Sequence, residues 1–315
     1  MTLHPLRAAP PLWLGKALEQ FEQQFHYPLG QSGHFHIAHG GAYLPFFAAM
    51  GGATVLVAEE HGTVFGTLVG VRRPLKFPDG SIQPATYLCD LKVRPGTRSG
   101  RTLLRLAQAL DADWRAGGGV GGGYCVTMDG TSATPGDYSG RCGLPLFEKA
   151  GEITILKIAT PDSKGSLLWR SSLDSVKAAF LRLTGPGFIP LGSSPTLRSQ
   201  MDPIPLLTAN GRACGLVEDT RRGKRLLTAA GHEMRAGHLS HFAFAGPDEG
   251  SALVRVALDV AAGAGLPALF LSLPRTEASA LKSMLSDLVI VEAPATVYCS
   301  GLAPHADWRI HSSEI

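Results

Sequence analysis

Residues 85–109 read ATYLCDLKVRPGTRSGRTLLRLAQA, and the hydrophobic period changes abruptly within them. Alternation up to Val93 predicts a strand, while Leu103, Leu104, Leu106, Ala107, Leu110 and Trp114 predict a helix. The turn between them supplies Arg98, Ser99, Gly100, Arg101 and Thr102. The first turn of a helix presents unpaired N–H groups and partial positive charge, and a glycine there lets a ligand approach the backbone. Arg98 and Arg101 add charge-assisted donors. That chemistry suits a pyrophosphate or a ribose phosphate. An ordinary strand–turn–helix with basic side chains in solvent fits the segment alone equally well.

Other clusters carry less. His34, His36 and His39 form HxHxxH, and the first two share one face of a strand, but no further ligand accompanies them, so they read as structural and no metal is expected. The glycine run 117–123 ends a helix and precedes a strand, the reverse of a phosphate-binding loop, and reads as a linker. Arg221, Arg222, Lys224 and Arg225 read as a solvated turn between two strands, 213–218 and 225–228. Later, GPDEG at 246–250 opens another helix, where Asp248 and Glu249 would repel an anion.

These segments need elements to position them. Leu14, Leu18, Phe21 and Phe25 make one apolar face of a helix over 12–25, with Glu19, Gln20, Glu22 and Gln23 placed elsewhere. A short helix follows over 42–50. Strands 53–59 and 63–72 flank a turn at Glu60-His61-Gly62 and read as a hairpin. A polar excursion, 74–84, precedes the strand 85–93. A strand over 124–128, a weak helix over 144–149 and a strand over 153–159 close the first unit. Turn signals and a helix over 167–183 fill 161–212. In the second unit strands fall at 238–245, 268–273, 288–292 and 296–299, with helices from 246 to 258 and over 277–285.

Both units thus follow one order: hairpin, strand, tight turn, helix, strand, helix, strand. Tyr87-Leu-Cys-Asp-Leu91 corresponds to His238-Leu-Ser-His-Phe242, and Leu103-Leu-Arg-Leu-Ala107 to Leu253-Val-Arg-Val-Ala257. An internal repeat follows. The expected fold class is α/β (α+β): two units, each a mixed, mostly antiparallel central sheet flanked by helices, at 1–160 and 213–315, with 161–212 between them.

Composition bounds the rest. With 44% hydrophobic and 17% charged residues among 315, the chain is globular. A charge of +3, from 29 basic and 26 acidic residues, is too balanced for nucleic-acid binding. Five scattered cysteines indicate neither a zinc knuckle nor a disulfide framework, and no apolar run is long enough for a membrane span. A cytoplasmic protein, free or as a homodimer, is expected.

The segment 85–109 resembles motif A of the GNAT acyltransferases, in which a YL-DL-V-P strand runs into R/Q-x-x-G-x-G/A and a helix. Upstream, VLVAEEHGTVFGTLVG looks like the family's central hairpin; downstream, LPLFEKAG at 144–151 resembles its motif B. The resemblance covers most of residues 34–159. It implies an N-acyltransferase that takes acetyl-CoA or another acyl-CoA and acylates an amine of a small molecule or a protein, in the first unit. It further implies that Leu91 and Val93 hold the pantetheine arm by main-chain bonds, and that Arg98, Ser99, Gly100, Arg101 and Thr102 hold the pyrophosphate. Asp90 becomes the candidate base and Glu59 the reserve. Two positions depart from the pattern: Arg101 and Leu103 stand where the loop usually has small residues, and Phe147 replaces the tyrosine that would protonate the thiolate. Tyr138 is then the candidate acid. A CoA-binding or protein-interaction module without turnover is the alternative.

Overall fold

The computed structural model describes residues 1–29, 33–96, 99–116, 122–161, 169–303 and 307–315. The first half runs β1 (Thr2–Leu6), α1 (Leu12–Glu22), β2 (Tyr27–Leu29), β3 (Gly33–Ala38), α2 (Pro45–Ala48), β4 (Gly52–Glu60), β5 (Thr63–Lys76), β6 (Ile82–Val93), α3 (Ser99–Ala116), β7 (Gly123–Met128), α4 (Pro135–Tyr138) and β8 (Glu148–Ala159). The second runs α5 (Leu173–Leu183), β9 (Ile189–Pro190), β10 (Ile204–Leu207), β11 (Ala213–Glu218), β12 (Arg225–Thr228), β13 (Gly237–Phe244), α6 (Pro247–Gly263), β14 (Ala268–Pro274), α7 (Arg275–Met284) and β15 (Ile290–Ser300), and ends in a 3-10 turn at Ser312–Glu314. No described helix is long and apolar enough to cross a membrane.

The sheets of the two halves join into one, in the order β1-β4-β5-β6-β7-β15-β8-β14-β13-β11-β10, with β9 added beside β5. Two neighbouring pairs are parallel, β6 with β7 and β13 with β14. Each pair is bridged by a long helix, α3 or α6, as a parallel crossover requires. At the centre the halves exchange strands: β15 lies between β7 and β8, and β8 lies between β15 and β14. The order reads the same outward from the β8–β15 pair on both sides, an approximate two-fold arrangement of the sheet.

Several expectations need correction. The excursion 74–84 is a continuation of the β5–β6 hairpin, which turns at 77–81 with Phe77 N–H donating to Ser81 O. The helix expected over 144–149 is absent from those residues: the chain is extended, and Glu148 and Lys149 pair with Cys299 and Tyr298 of β15, whose cross-strand bonds override a weak helical signal. Strands 288–292 and 296–299 are one strand. Pro294 is tolerated there because β7 pairs with β15 only from Ala295 onward, leaving its missing N–H without a ladder partner to serve. Strand β12 does not pair with β11; it leaves for a separate small sheet, β12-β3-β2, that joins the halves. The hairpin of the second half is instead β10–β11.

On one face, α1 and α2 cover a core of Leu14, Leu18, Phe21, Tyr43, Phe47, Val69, Tyr87 and Tyr124. On the other, α3 packs Leu106 and Leu110 against Leu56, Leu68, Leu88 and Leu91. Full burial of each large aliphatic contributes about 1.5–3 kcal/mol.

Candidate active site

Pairing between β6 and β7 is confined to Thr86 and Tyr87 against Gly123 and Tyr124. The two tyrosine rings stack there at 5.1 Å, and Trp308 closes on Tyr124 from beyond. Past that pair the strands carry no common register, so residues 88–93 bond β5 on one side and open toward β7 on the other. Leu91 and Val93 both lie on this edge.

The strand is also irregular at this point. Between Cys89 and Lys92 two residues of β6 oppose the single Leu68 of β5, a β-bulge, and Asp90 adopts φ +51. Few non-glycine residues take that conformation, aspartate more often than most, and side-chain contacts support it here. The Asp90 carboxylate is nearly buried, its side chain 6% exposed. It accepts from the Tyr43 hydroxyl at 2.5 Å and from the Lys92 ammonium. The Thr67 hydroxyl donates to the Asp90 carbonyl at 3.0 Å. Lys92 also reaches Glu22 at 3.1 Å, and Glu22 accepts the His39 main-chain N–H at 2.9 Å and faces His39 Nδ1 at 2.6 Å.

The electrostatics follow from burial. Burial opposes the Glu22 carboxylate, but His39 and Lys92 outweigh it and hold Glu22 well below the usual range. Burial likewise opposes the Lys92 ammonium, and Asp90 and Glu22 more than offset it. Burial and then Asp90 raise the Tyr43 hydroxyl, keeping it a donor. Glu22, His39 and Asp90 place ligand-type atoms within 4.8 Å of one another, and the ammonium of Lys92 contacts both carboxylates, the position a cation would take.

At the helix entry, Gly100 is exposed, and a Cβ built on it meets nothing within 4 Å. Ser99 donates through its N–H and hydroxyl to Gly96 O, at 3.2 and 2.9 Å. Arg101 is exposed, whereas the Thr102 side chain is buried beside Gly66. Arg98 lies outside the described residues. Glu59 sits on β4, separated from β6 by β5, where it accepts the Gly62 N–H at 2.5 Å and meets His4 Nε2 at 3.1 Å; these bonds lower its carboxyl. Tyr138 lies on the face opposite Tyr124, near Cys125 and Tyr298, and burial raises its hydroxyl. Phe147 is buried, its ring tip 3.3 Å from where a Cβ on Gly123 would be. The structure therefore gathers Asp90, Leu91 and Val93 at one edge near α3 and leaves Glu59 two strands away.

Sequence reasoning missed most of the buried polar groups. Glu22 belongs to the apolar face of α1, since it follows Leu18 by four residues; that spacing was the available signal. The turn 219–224 is not a solvated basic run throughout: it packs on α2, Arg221 pairs with Asp219 and Glu233, and Arg222 donates to Thr196 O. Lys224 is buried there, its ammonium 4.6 Å from the Phe46 ring centroid and donating to the Ile315 main-chain oxygen. Burial, with Arg198 nearby, brings Lys224 down to about 7. Of the three histidines, His34 is exposed, the His36 ring faces His26, and His39 turns to Glu22.

The second half repeats the geometry with a different outcome. Between Ser240 and Ala243, two residues of β13 oppose Gly215, and His241 adopts φ +49. Strands β13 and β14 pair over Gly237–Leu239 and Leu269–Leu271 and no further. The chain's own segment 311–315 meets this stretch, with His311 at the opening beyond. Its His311 Nδ1 accepts the His241 main-chain N–H at 3.3 Å, and Ser312 bonds Phe270 O at 3.2 Å and His238 Nδ1 at 3.1 Å. Glu314 is gripped by Arg73 from the first half at 2.7 and 3.2 Å, and Arg198, bidentate to Glu218 at 2.8 Å, also reaches it at 3.4 Å. At the entry to α6, Arg212 pairs with Glu249 at 2.5 Å.

By sequence, no family model and no curated protein matches the chain. By structure, Saccharomyces cerevisiae N-myristoyltransferase with bound myristoyl-CoA is similar, at a TM-score of 0.64 and 8% identity, over 97% of this chain and 84% of that one. A second structure of that enzyme with myristoyl-CoA gives 0.64 and 8% over 93% and 77%; a third, with myristoyl-CoA and inhibitors, gives 0.59 and 8% over 96% and 81%. The chain has the GNAT fold.

Proposed function

We propose that the chain is an acyl-CoA-dependent N-acyltransferase whose site is the opening between β6 and β7. The observation that carries this reading is the unpaired, bulged edge of β6 beside the open Gly100 turn, in a fold shared with an N-myristoyltransferase that holds myristoyl-CoA. The pantetheine arm would bond the main chain at Leu91 and Val93 as an added strand, and the pyrophosphate would meet Arg98 to Thr102. The amine nitrogen attacks the thioester carbon, forming C–N; the C–S bond breaks and the thiolate leaves, while the amine's proton passes to a base. The bulge N–H stabilises the oxyanion, as His241 N–H donates to His311 in the second half. Holding both reactants in one cleft supplies much of the acceleration.

The units 1–160 and 213–315 are read as a duplicated pair, in which the second opening receives His311 and only the first takes acyl-CoA. The protein is read as cytoplasmic, with a homodimer as a further assembly. Phe147 favours a second reading, CoA binding without turnover, because its ring has no proton for a leaving thiolate. Incubation with acetyl-CoA or myristoyl-CoA and a panel of amines, following free thiol, separates them. Thiol release that depends on the amine supports transfer; tight CoA binding without release across the panel supports the module.

A further inference from the structure

Asp90 stands in a left-handed conformation that glycine takes freely and aspartate only at a cost. What holds it is a chain of contacts rooted outside β6. Tyr43, itself fully buried, donates to one carboxylate oxygen of Asp90 at 2.5 Å, and Lys92, two residues along the strand, donates to the other. Lys92 is tied to α1 by Glu22 at 3.1 Å, and Glu22 is tied to the loop before α2 by both the main-chain N–H and the ring of His39. These side chains lie on the face covered by α1 and α2, with Tyr43 in the same core as Tyr87 and Tyr124, while the edge that opens toward β7 offers main chain. A general base aims a lone pair at the substrate's proton; here the lone pairs are aimed at Tyr43 and Lys92. The second half supplies an independent observation of what such a bulge does. Its left-handed residue, His241, sends its N–H into the corresponding opening, to His311.

We propose that Tyr43 and Lys92 are positioning residues for acyl transfer, which clamp Asp90 so that the bulge directs its N–H at the thioester carbonyl, with Glu22 and His39 fixing Lys92. This rests on the acyltransferase reading above. The Asp90 carboxylate then serves the backbone and not proton transfer.

Glycine at position 90 separates the two roles, because it needs no clamp to stay left-handed. Kinetics with the acyl-CoA and amine that the wild type turns over would compare Asp90→Ala, Asp90→Gly, Tyr43→Phe, and Lys92→Met combined with Glu22→Gln, which neutralises Glu22 as its cation is lost and leaves the Asp90 carboxylate without its ammonium. Asp90→Ala, Tyr43→Phe and the double variant should lower kcat roughly 10- to 100-fold with KM for acyl-CoA unchanged within about twofold, the pattern of a contact made only in the transition state. Asp90→Gly should keep at least about tenfold more kcat than Asp90→Ala, and Tyr43→Phe should cost it nothing further. Equal loss in Asp90→Gly and Asp90→Ala, or a full kcat in Tyr43→Phe, would overturn the proposal. Melting temperatures read the clamp without catalysis: Asp90→Gly should melt above Asp90→Ala. If the wild type turns over no acyl-CoA, the acyltransferase reading fails and the positioning role with it. The melting order then still shows whether the clamp exists, and a reversed order would refute it separately.

Discussion

Asp90 and His241, 151 positions apart, are both left-handed, at φ +51 and +49, at corresponding points of β6 and β13. A bulge shifts the alternation of its own strand by one residue, so that every later side chain faces the way its neighbour would have; a shared bulge is therefore a stronger mark of duplication than the five-residue likeness around it. In the second half the opening it creates receives His311, which accepts the His241 N–H.

From that occupancy comes a stoichiometry. Calorimetric titration with CoA should give one site per chain, and His311→Ala combined with Ser312→Ala should not create a second, because Glu249 and its partner Arg212 still stand at the entry to α6. Two sites in the wild type would show that the segment is displaced by the ligand.

The Gly100 turn should matter by shape. Gly100→Val should weaken CoA binding about tenfold or more, equivalent to about 1.4 kcal/mol, with the melting temperature unchanged, since a Cβ there meets no protein atom within 4 Å. Arg98→Ala should weaken binding in a salt-dependent way, whereas the Gly100→Val loss should persist at high salt. Titrations at two ionic strengths check both.

Buried and exposed ion pairs should differ sharply. Arg73→Met leaves the Glu314 carboxylate buried without its closest cation and should cost about 3–5 kcal/mol of unfolding free energy. Arg255→Ala removes a pair whose side chains are 45% and 61% exposed and should cost under about 1 kcal/mol. Urea unfolding of the two variants measures the contrast.

Acid should loosen the second half before its carboxylates titrate. Burial holds His238 down to about 3 and His311 down to about 4, and His241 well below its ordinary value. In the unfolded chain these rings take up protons near pH 6.5, so the unfolded state binds more protons and stability falls as pH drops below that value. Glu22, Glu218 and Glu314, all lowered in the fold, begin to contribute only near their unfolded value of about 4.3. Between pH 6.5 and 4.5 the slope should therefore approach about 1.4 kcal/mol per pH unit for each histidine. Unfolding midpoints across that window test it, and a flat profile would place the histidines in solvent.

Much of the frame was legible because it is local. The strand–turn–helix from β6 into α3, the β4–β5 hairpin and its turn at His61-Gly62, and the run from β13 through α6 and β14 to α7 follow from period and turn residues. What escaped is non-local. Arg73 falls between the strand 63–72 and the excursion 74–84, where nothing local calls for burial, yet it is buried because Glu314, 241 residues later, meets it. Residues 144–147 looked weakly helical, yet the chain runs extended into β8, which β15 claims from the far end of the chain. Asp90 and Lys92 would share a face in any strand, but only the bulge turns that face toward α1 and α2 and away from α3.

The exchange of β8 and β15 bears on how the protein can be divided. Each half presents an unfilled slot that the other half's final strand completes, so neither should be a stable fold when expressed by itself. Cleavage at the junction between β8 and α5 severs none of the cross-strand bonds. Two genes, one ending after residue 161 and the other beginning near 169, should therefore yield insoluble products singly and a soluble, one-to-one complex when co-expressed, which makes the chain a natural candidate for fragment complementation.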